Sequence, residues 1–368
     1  MMKKHSIQLI SLVVLFAMTS ACSKPNEQQD QEPSYYTMAD FNRVQKIDVH
    51  VHANSESTGF IEQAEADNFK LLSINVDYPD FPALNQQAKI AEHFAQQHKS
   101  VFNYATTFSM LGSQQPEWQQ QVTESIDRAV EHGAIAVKVW KNIGMDFRDK
   151  NQQLVMIDDV KLDPIFAHIQ GLGIPLIGHQ GEPKNCWLPV EEMTVNNDKE
   201  YFANHPQYHM YKHPEMPSYE EQMQARNNML NKHPDMHFMG AHLASLEWSV
   251  DQLAAFLDHY PNAVVDLAAR MGQVQYQSKL DREKVRRFFI NYQDRILYAT
   301  DLTQSPNSDA GVFKQQAHTK WLEDWQYLVT EQELSVPEVD GVLQGLALPK
   351  DVVDKIYALN ALKFFKLS

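Results

Sequence analysis

The run Ile47-Asp48-Val49-His50-Val51-His52 carries two imidazoles at spacing i, i+2. On a strand, such residues point to the same side, roughly 7 Å apart at their Cα atoms. That separation suits two ligands of one divalent metal, for which imidazole is a common donor. Alternation places Ile47, Val49 and Val51 on one face, against helices, and sends Asp48, His50 and His52 together into the interior. Three other apolar runs close on a residue of the same sort. They are Pro-Leu-Ile-Gly-His179, Met-Gly-Ala-His242 and Ile-Leu-Tyr-Ala-Thr-Asp301. A solitary histidine at a strand end commonly makes only structural hydrogen bonds. Four strands converging on one rim favour a metal centre instead. With two cysteines in the chain, a Cys-rich zinc module is excluded, so His and carboxylates must hold any metal.

Positioning these residues requires a repeating scaffold. Strand-like runs are predicted at 46–52, 70–78, 101–108, 134–141, 175–181, 237–244, 263–269 and 296–301. Helical patterns lie between them at 84–98, 117–132, 164–171, 219–232, 250–259 and 282–292, with a closing helix at 351–365. Eight strands alternating with helices predict a (β/α)8 TIM barrel. The Gly-rich turn that announces an open doubly wound sheet does not follow the first strand. Two connections are too long for simple loops: 182–218 after the fifth strand and 302–350 after the eighth. Both leave from the C-terminal rim, where barrel active sites are built, and read as lids or pocket walls.

With these residues in view, the chain resembles the amidohydrolase superfamily. The phrases HPDMHFMGAHLASLEWSVDQLA, YPNAVVDLAAR and RILYATD resemble its amidohydrolase-2 branch, which includes aminocarboxymuconate-semialdehyde decarboxylase. The resemblance spans residues 46–366. It implies one divalent metal, zinc by default, held by His50, His52, His179 and Asp301. Such a metal lowers the pKa of its water. Asp301, as ligand and base, would take the water's proton, and His242 would polarise the substrate or shuttle a proton. In binuclear members of the superfamily, a carbamylated lysine on the fourth strand bridges two metals, with a histidine on the second. Lys138 and His242 could fill those roles here, although members of this branch are typically mononuclear. Otherwise Lys138 makes a salt bridge or contacts substrate at the rim.

Softer readings concern the substrate. Arg270 shares a face with Asp266 on the seventh strand and could clamp a carboxylate or pair with an acid. Trp187 could wall the pocket or pack within its loop. Arg226 could reach the site or pair on its helix. His205, His209 and His213 crowd the fifth loop and read as surface residues.

About 43% of the 368 residues are apolar and the formal net charge is −15. That balance argues against nucleic acid and against an anionic membrane surface as partners. A small-molecule substrate is expected; the oligomeric state is open, and a homodimer is compatible. The first residues have the layout of an export signal: Lys3-Lys4, an apolar run from Ile7 to Met18, then small residues before Cys22. This resembles a bacterial lipobox, with Thr19 where Leu is usual. Residues 1–21 are then the signal, 22–44 a lipidated cysteine and tether, and 45–368 the barrel. Ser23 rather than Asp after Cys22 suggests sorting to the outer membrane, facing the periplasm.

The leading expectation is a hydrolase acting on an amide, ester or lactone-type bond. The alternative is a decarboxylase or other lyase acting on a small carboxylic acid. A non-catalytic metal- or solute-binding lipoprotein is the remaining class, and the complete ligand set argues against it.

Overall fold

The computed structural model describes residues 35–367. The signal, Cys22 and the tether as far as residue 34 lie outside the described residues.

The strands are β1 (Lys46–Ala53), β2 (Phe69–Ile74), β3 (Phe102–Thr107), β4 (Ala134–Val139), β5 (Leu176–Gly178), β6 (Phe238–Gly240), β7 (Ala263–Asp266), β8 (Ile296–Leu297) and β9 (Thr303–Gln304). They form one sheet in the order β8-β7-β6-β5-β4-β3-β2-β1-β9, each pair parallel. Backbone bonds close it into a ring. Val49 N donates to Tyr298 O at 3.1 Å, Asp301 N to His50 O at 2.8 Å, and His52 N to Leu302 O at 2.9 Å. β8 and β9 are thus two halves of the eighth barrel strand, interrupted where Asp301 sits.

All eight runs are strands, and all but the first end earlier than their apolar runs. Gly181, the residues His242 to Ser245, Ala269 and Asp301 have positive φ, which a β ladder cannot accommodate. The rim is therefore made of turns that aim side chains inward.

One expectation about β1 is corrected. Its register against β2 slips between Asp48 and Val51, where three steps on β1 match two on β2. This bulge reverses the alternation. Ile47 and Val49 pack in the barrel interior with Leu72, Ala105, Ile177 and Met239, while Val51 packs in the outer core. Asp48 reaches outward instead, accepting from Trp321 Nε1 at 3.0 Å and Thr300 Oγ1 at 2.6 Å. Only His50 and His52 turn inward as predicted. Burial raises the pKa of Asp48 to about 7, against the opposing pull of its hydrogen bonds from Thr300 and Trp321.

Helices Tyr219–Lys232 and Val250–His259 match their predicted spans. Four more helices of at least eight residues go beyond the sequence reading: Gly59–Ala66, Asn196–Asn204, Met271–Leu280 and Ala310–Val329. The last occupies much of the 302–350 insertion and buries Trp321 and Trp325 on the barrel flank. The insertion ends in an antiparallel hairpin, β10 (Glu333–Val336) and β11 (Val339–Gln344). That hairpin holds the start of the rim helix Asn196–Asn204 in the other insertion. Asn196 N donates to Glu338 O, and its Nδ2 to Pro337 O, each at 3.0 Å. Residues 182–218 have their own small core of Cys186, Met193, Phe202 and Met210. At the opposite end of the barrel, Ala358, Ala361 and Phe365 of the closing helical segment pack into the interior layer. Among the described residues, no helix is long and apolar enough to cross a membrane.

Candidate metal centre

His50 and His52 leave the bulged end of β1 with both Nε2 atoms facing Asp301 Oδ1, at 3.3 and 3.1 Å. Their other nitrogens are engaged. His52 Nδ1 donates to Ile74 O at 2.7 Å, and His50 Nδ1 donates to Asp266 Oδ2 at 2.8 Å. Such anchoring fixes the tautomer and leaves Nε2 as the ligating atom. Two imidazole lone pairs turned on one carboxylate oxygen repel each other unless a cation or proton lies between them. His50, His52 and Asp301 thus fit a divalent ion, and their donor atoms lie within 4.8 Å of one another.

His179 follows β5, its N–H donating to Val139 O at 3.1 Å. Its ring lies 4.1 Å from that of His242, and its buried Nε2 has no hydrogen-bond partner. An orphaned buried ring nitrogen is costly unless a ligand occupies it, which again fits a metal. Burial pushes the His50, His179 and His242 rings well below the usual histidine range, with nearby cationic groups adding to this. Neutral imidazole is the form that binds metal. For Asp301, burial acts upward, but His50, His242 and His52 outweigh it and hold the carboxyl well below its ordinary value.

His242 is held by an unusual turn. Residues 242 to 245 all lie at φ between 54° and 58°. Each such non-glycine residue costs about 1–2 kcal/mol. Four contacts hold the turn. His242 N donates to Asp266 Oδ1 at 2.7 Å, Arg226 Nη1 donates to Ala244 O, Tyr219 Oη donates to Ser245 O at 2.5 Å, and Ser245 Oγ donates to Gln180 O at 2.8 Å. Gly240 is required beneath it, because a Cβ there would meet Ala244 Cβ at 2.5 Å. His242 Nδ1 donates to Ala268 O at 2.9 Å, so Nε2 carries the lone pair.

Lys138 is buried inside the barrel, with Nζ 3.4 Å from His50 Nε2. Burial lowers its pKa to about 8, against the pull of Asp266 and Asp301. Arg270 lines a cavity of about 600 Å³ with His179, His242 and Asp301. It makes no ion pair with Asp266, whose oxygens are taken by His50, His242 N and Ala268 N. Arg226 does not reach this cavity. It is buried over the Phe256 ring at 4.4 Å and supports the Ala244 carbonyl. Trp187 also packs within its loop, donating from Nε1 to Pro217 O at 3.1 Å. His205, by contrast, lies at the cavity edge beside Tyr201.

Asp266 is the main residue that sequence reasoning missed, since it orients both His50 and His242. Its place at the end of an apolar strand, like that of His179, was the available signal. Lys141 and Glu182, an ion pair at the cavity mouth, were missed as well.

A closed parallel barrel with four histidines and an aspartate gathered at its C-terminal rim defines a barrel enzyme built around a metal ion. The chain belongs to the amidohydrolase family, whose model Amidohydro_2 matches residues 47–367. No curated protein matches the sequence significantly. Among solved structures, 2,6-dihydroxybenzoate decarboxylase from Rhizobium is similar in fold at 14% identity and TM-score 0.51. The match covers 88% of this chain and 99% of that one. The same values hold for a 2,6-dihydroxybenzoate decarboxylase complexed with 2,6-dihydroxybenzoate. An amidohydrolase II matches at 15% identity and TM-score 0.49, over 88% of this chain and 100% of that one.

Proposed function

We propose that the protein is a metal-dependent hydrolase, using one zinc ion to cleave an amide, ester or lactone-type bond of a small molecule. The observation that carries this reading is a pair of unprotonated acceptors at one cluster, the Asp301 carboxylate and His242 Nε2. Hydrolysis needs a group to take a proton from water and return it to the leaving group. A divalent cation at His50, His52, His179 and Asp301 would supply Lewis-acid polarisation of an oxygen. Asp301 accepts the first proton, and the His242 ring, neutral with Nε2 free, relays one to the departing atom. Arg270 grips a substrate carboxylate.

A second reading, decarboxylation, draws on Arg270 beside the cluster and on the aromatic acid bound by the fold neighbour. The two separate in labelled water, with zinc-loaded enzyme and a panel of esters, lactones, amides and aromatic acids. Hydrolysis places solvent oxygen in the product. Carbon dioxide release without that oxygen would overturn the first reading.

A further inference from the structure

Beside the catalytic cavity lies a second one of about 400 Å³, and the two share Lys141, Glu182 and Tyr201 as lining residues. It has two aromatic walls. On the barrel side, Tyr78 and Trp140 lie 4.9 Å apart, and Tyr78 continues through Phe81, at 5.2 Å, to the ring of His52, at 4.9 Å. On the insertion side, Tyr201 and Tyr208 are nearly coplanar in orientation, with centroids 6.4 Å apart and planes inclined by 8°. Met145, Met210 and Met216 add apolar surface, and Asp146, His213 and Glu215 are among the polar residues that line the rest.

Tyr201 and Tyr208 are 40% and 47% exposed, large rings left open to solvent on a built rim. Aromatic faces and polarisable thioethers attract planar rings beyond their simple burial. The volume lies within the range of small-molecule pockets.

We propose that the substrate is bipartite, with its reacting group at the His/Asp cluster and a planar aromatic ring held between Tyr78–Trp140 and Tyr201–Tyr208. The proposal rests on the reading of the first cavity as the reaction site, and it names the class of molecule that site takes. The shared Lys141–Glu182 pair marks the joint, so polar linker atoms lie there. The ring is a recognition element and remains outside the bond that breaks.

The test uses zinc-loaded full-length protein and needs no turnover. Calorimetry compares phenylacetate, 3-phenylpropanoate and 4-phenylbutanoate with the matching straight-chain carboxylates. At one spacer length the ring should improve affinity about tenfold, the scale of one or two ring contacts. Tyr208→Ala and Trp140→Leu should each remove most of that gain and leave butanoate binding unchanged. Absence of a ring gain at all three spacer lengths, or a gain that survives both substitutions, would overturn the proposal. So would equal binding of 4-cyclohexylbutanoate. Failure of the ester and lactone panel alongside a ring gain would sink hydrolysis and leave the aromatic subsite standing.

Discussion

His52 Nε2 stands 3.1 Å from Asp301 Oδ1 while His52 Nδ1 is already spent on the Ile74 carbonyl. With Nδ1 donating, Nε2 points at a carboxylate oxygen, where lone pair would meet lone pair unless something lies between, and His50 repeats the arrangement at 3.3 Å. A cation relieves both conflicts at once.

Removing the metal should consequently weaken the fold as well as the activity. Chelated protein is expected to melt at lower temperature, and one equivalent of zinc should restore the midpoint. An ion present at a thousand times its Kd adds about 4 kcal/mol. His179→Ala should lose the ion while keeping its circular dichroism spectrum. Elemental analysis showing full occupancy in that variant would remove His179 from the ligand set.

The two arginines of the sequence reading should behave differently. Arg226→Met leaves the Ala244 carbonyl buried without a donor, at a cost of about 1–3 kcal/mol. Its turn then loosens around His242, so kcat should fall with the melting temperature. Arg270→Gln should leave the melting temperature alone and weaken carboxylate binding. Matched effects in both variants would contradict the separation drawn between scaffold and pocket.

Glu247 should give the fold a dependence on pH. Its carboxyl is buried, with Oε2 unpartnered, and desolvation raises its pKa from 4.5 to about 7 against the opposing pull of Arg270. Between those values the folded state holds a proton that the unfolded state has released. Stability therefore falls as pH rises through 4.5 to about 7, by up to about 3 kcal/mol. Glu247→Gln should flatten this slope. Denaturation midpoints across the window read it, and a slope unchanged in the variant would acquit Glu247.

Lipid attachment at Cys22 remains a proposal from the N-terminal sequence. In a bacterial host, labelled palmitate should mark the wild-type chain and spare Cys22→Ser. An unlabelled wild type would mean an ordinary cleaved leader.

Much of the barrel was legible because each strand is an apolar run and each candidate ligand lies at or near the end of one. The β1 bulge was not, since nothing in Asp48-Val49-His50 distinguishes a slipped pair from a regular one. The slip is set by what β2 and Tyr298 offer across the ladder. Helix Ala310–Val329 did leave a signal, with Phe313, Ala317, Trp321 and Trp325 at four-residue spacing. Helix Met271–Leu280 hardly did. It buries Gln273 and Ser278, and their partners, Asp198 and Tyr327, come from remote segments. Arg226 was ambiguous for the same reason, because its role depends on a left-handed turn that no local preference announces.

The hairpin that grips Asn196 ties together two stretches far apart along the chain. For an engineer, they form one cassette. Transplanting the pocket-facing insertion onto another barrel would strand its helix unless residues 333–344 travelled with it. Changes in either stretch would then have to be compensated in the other.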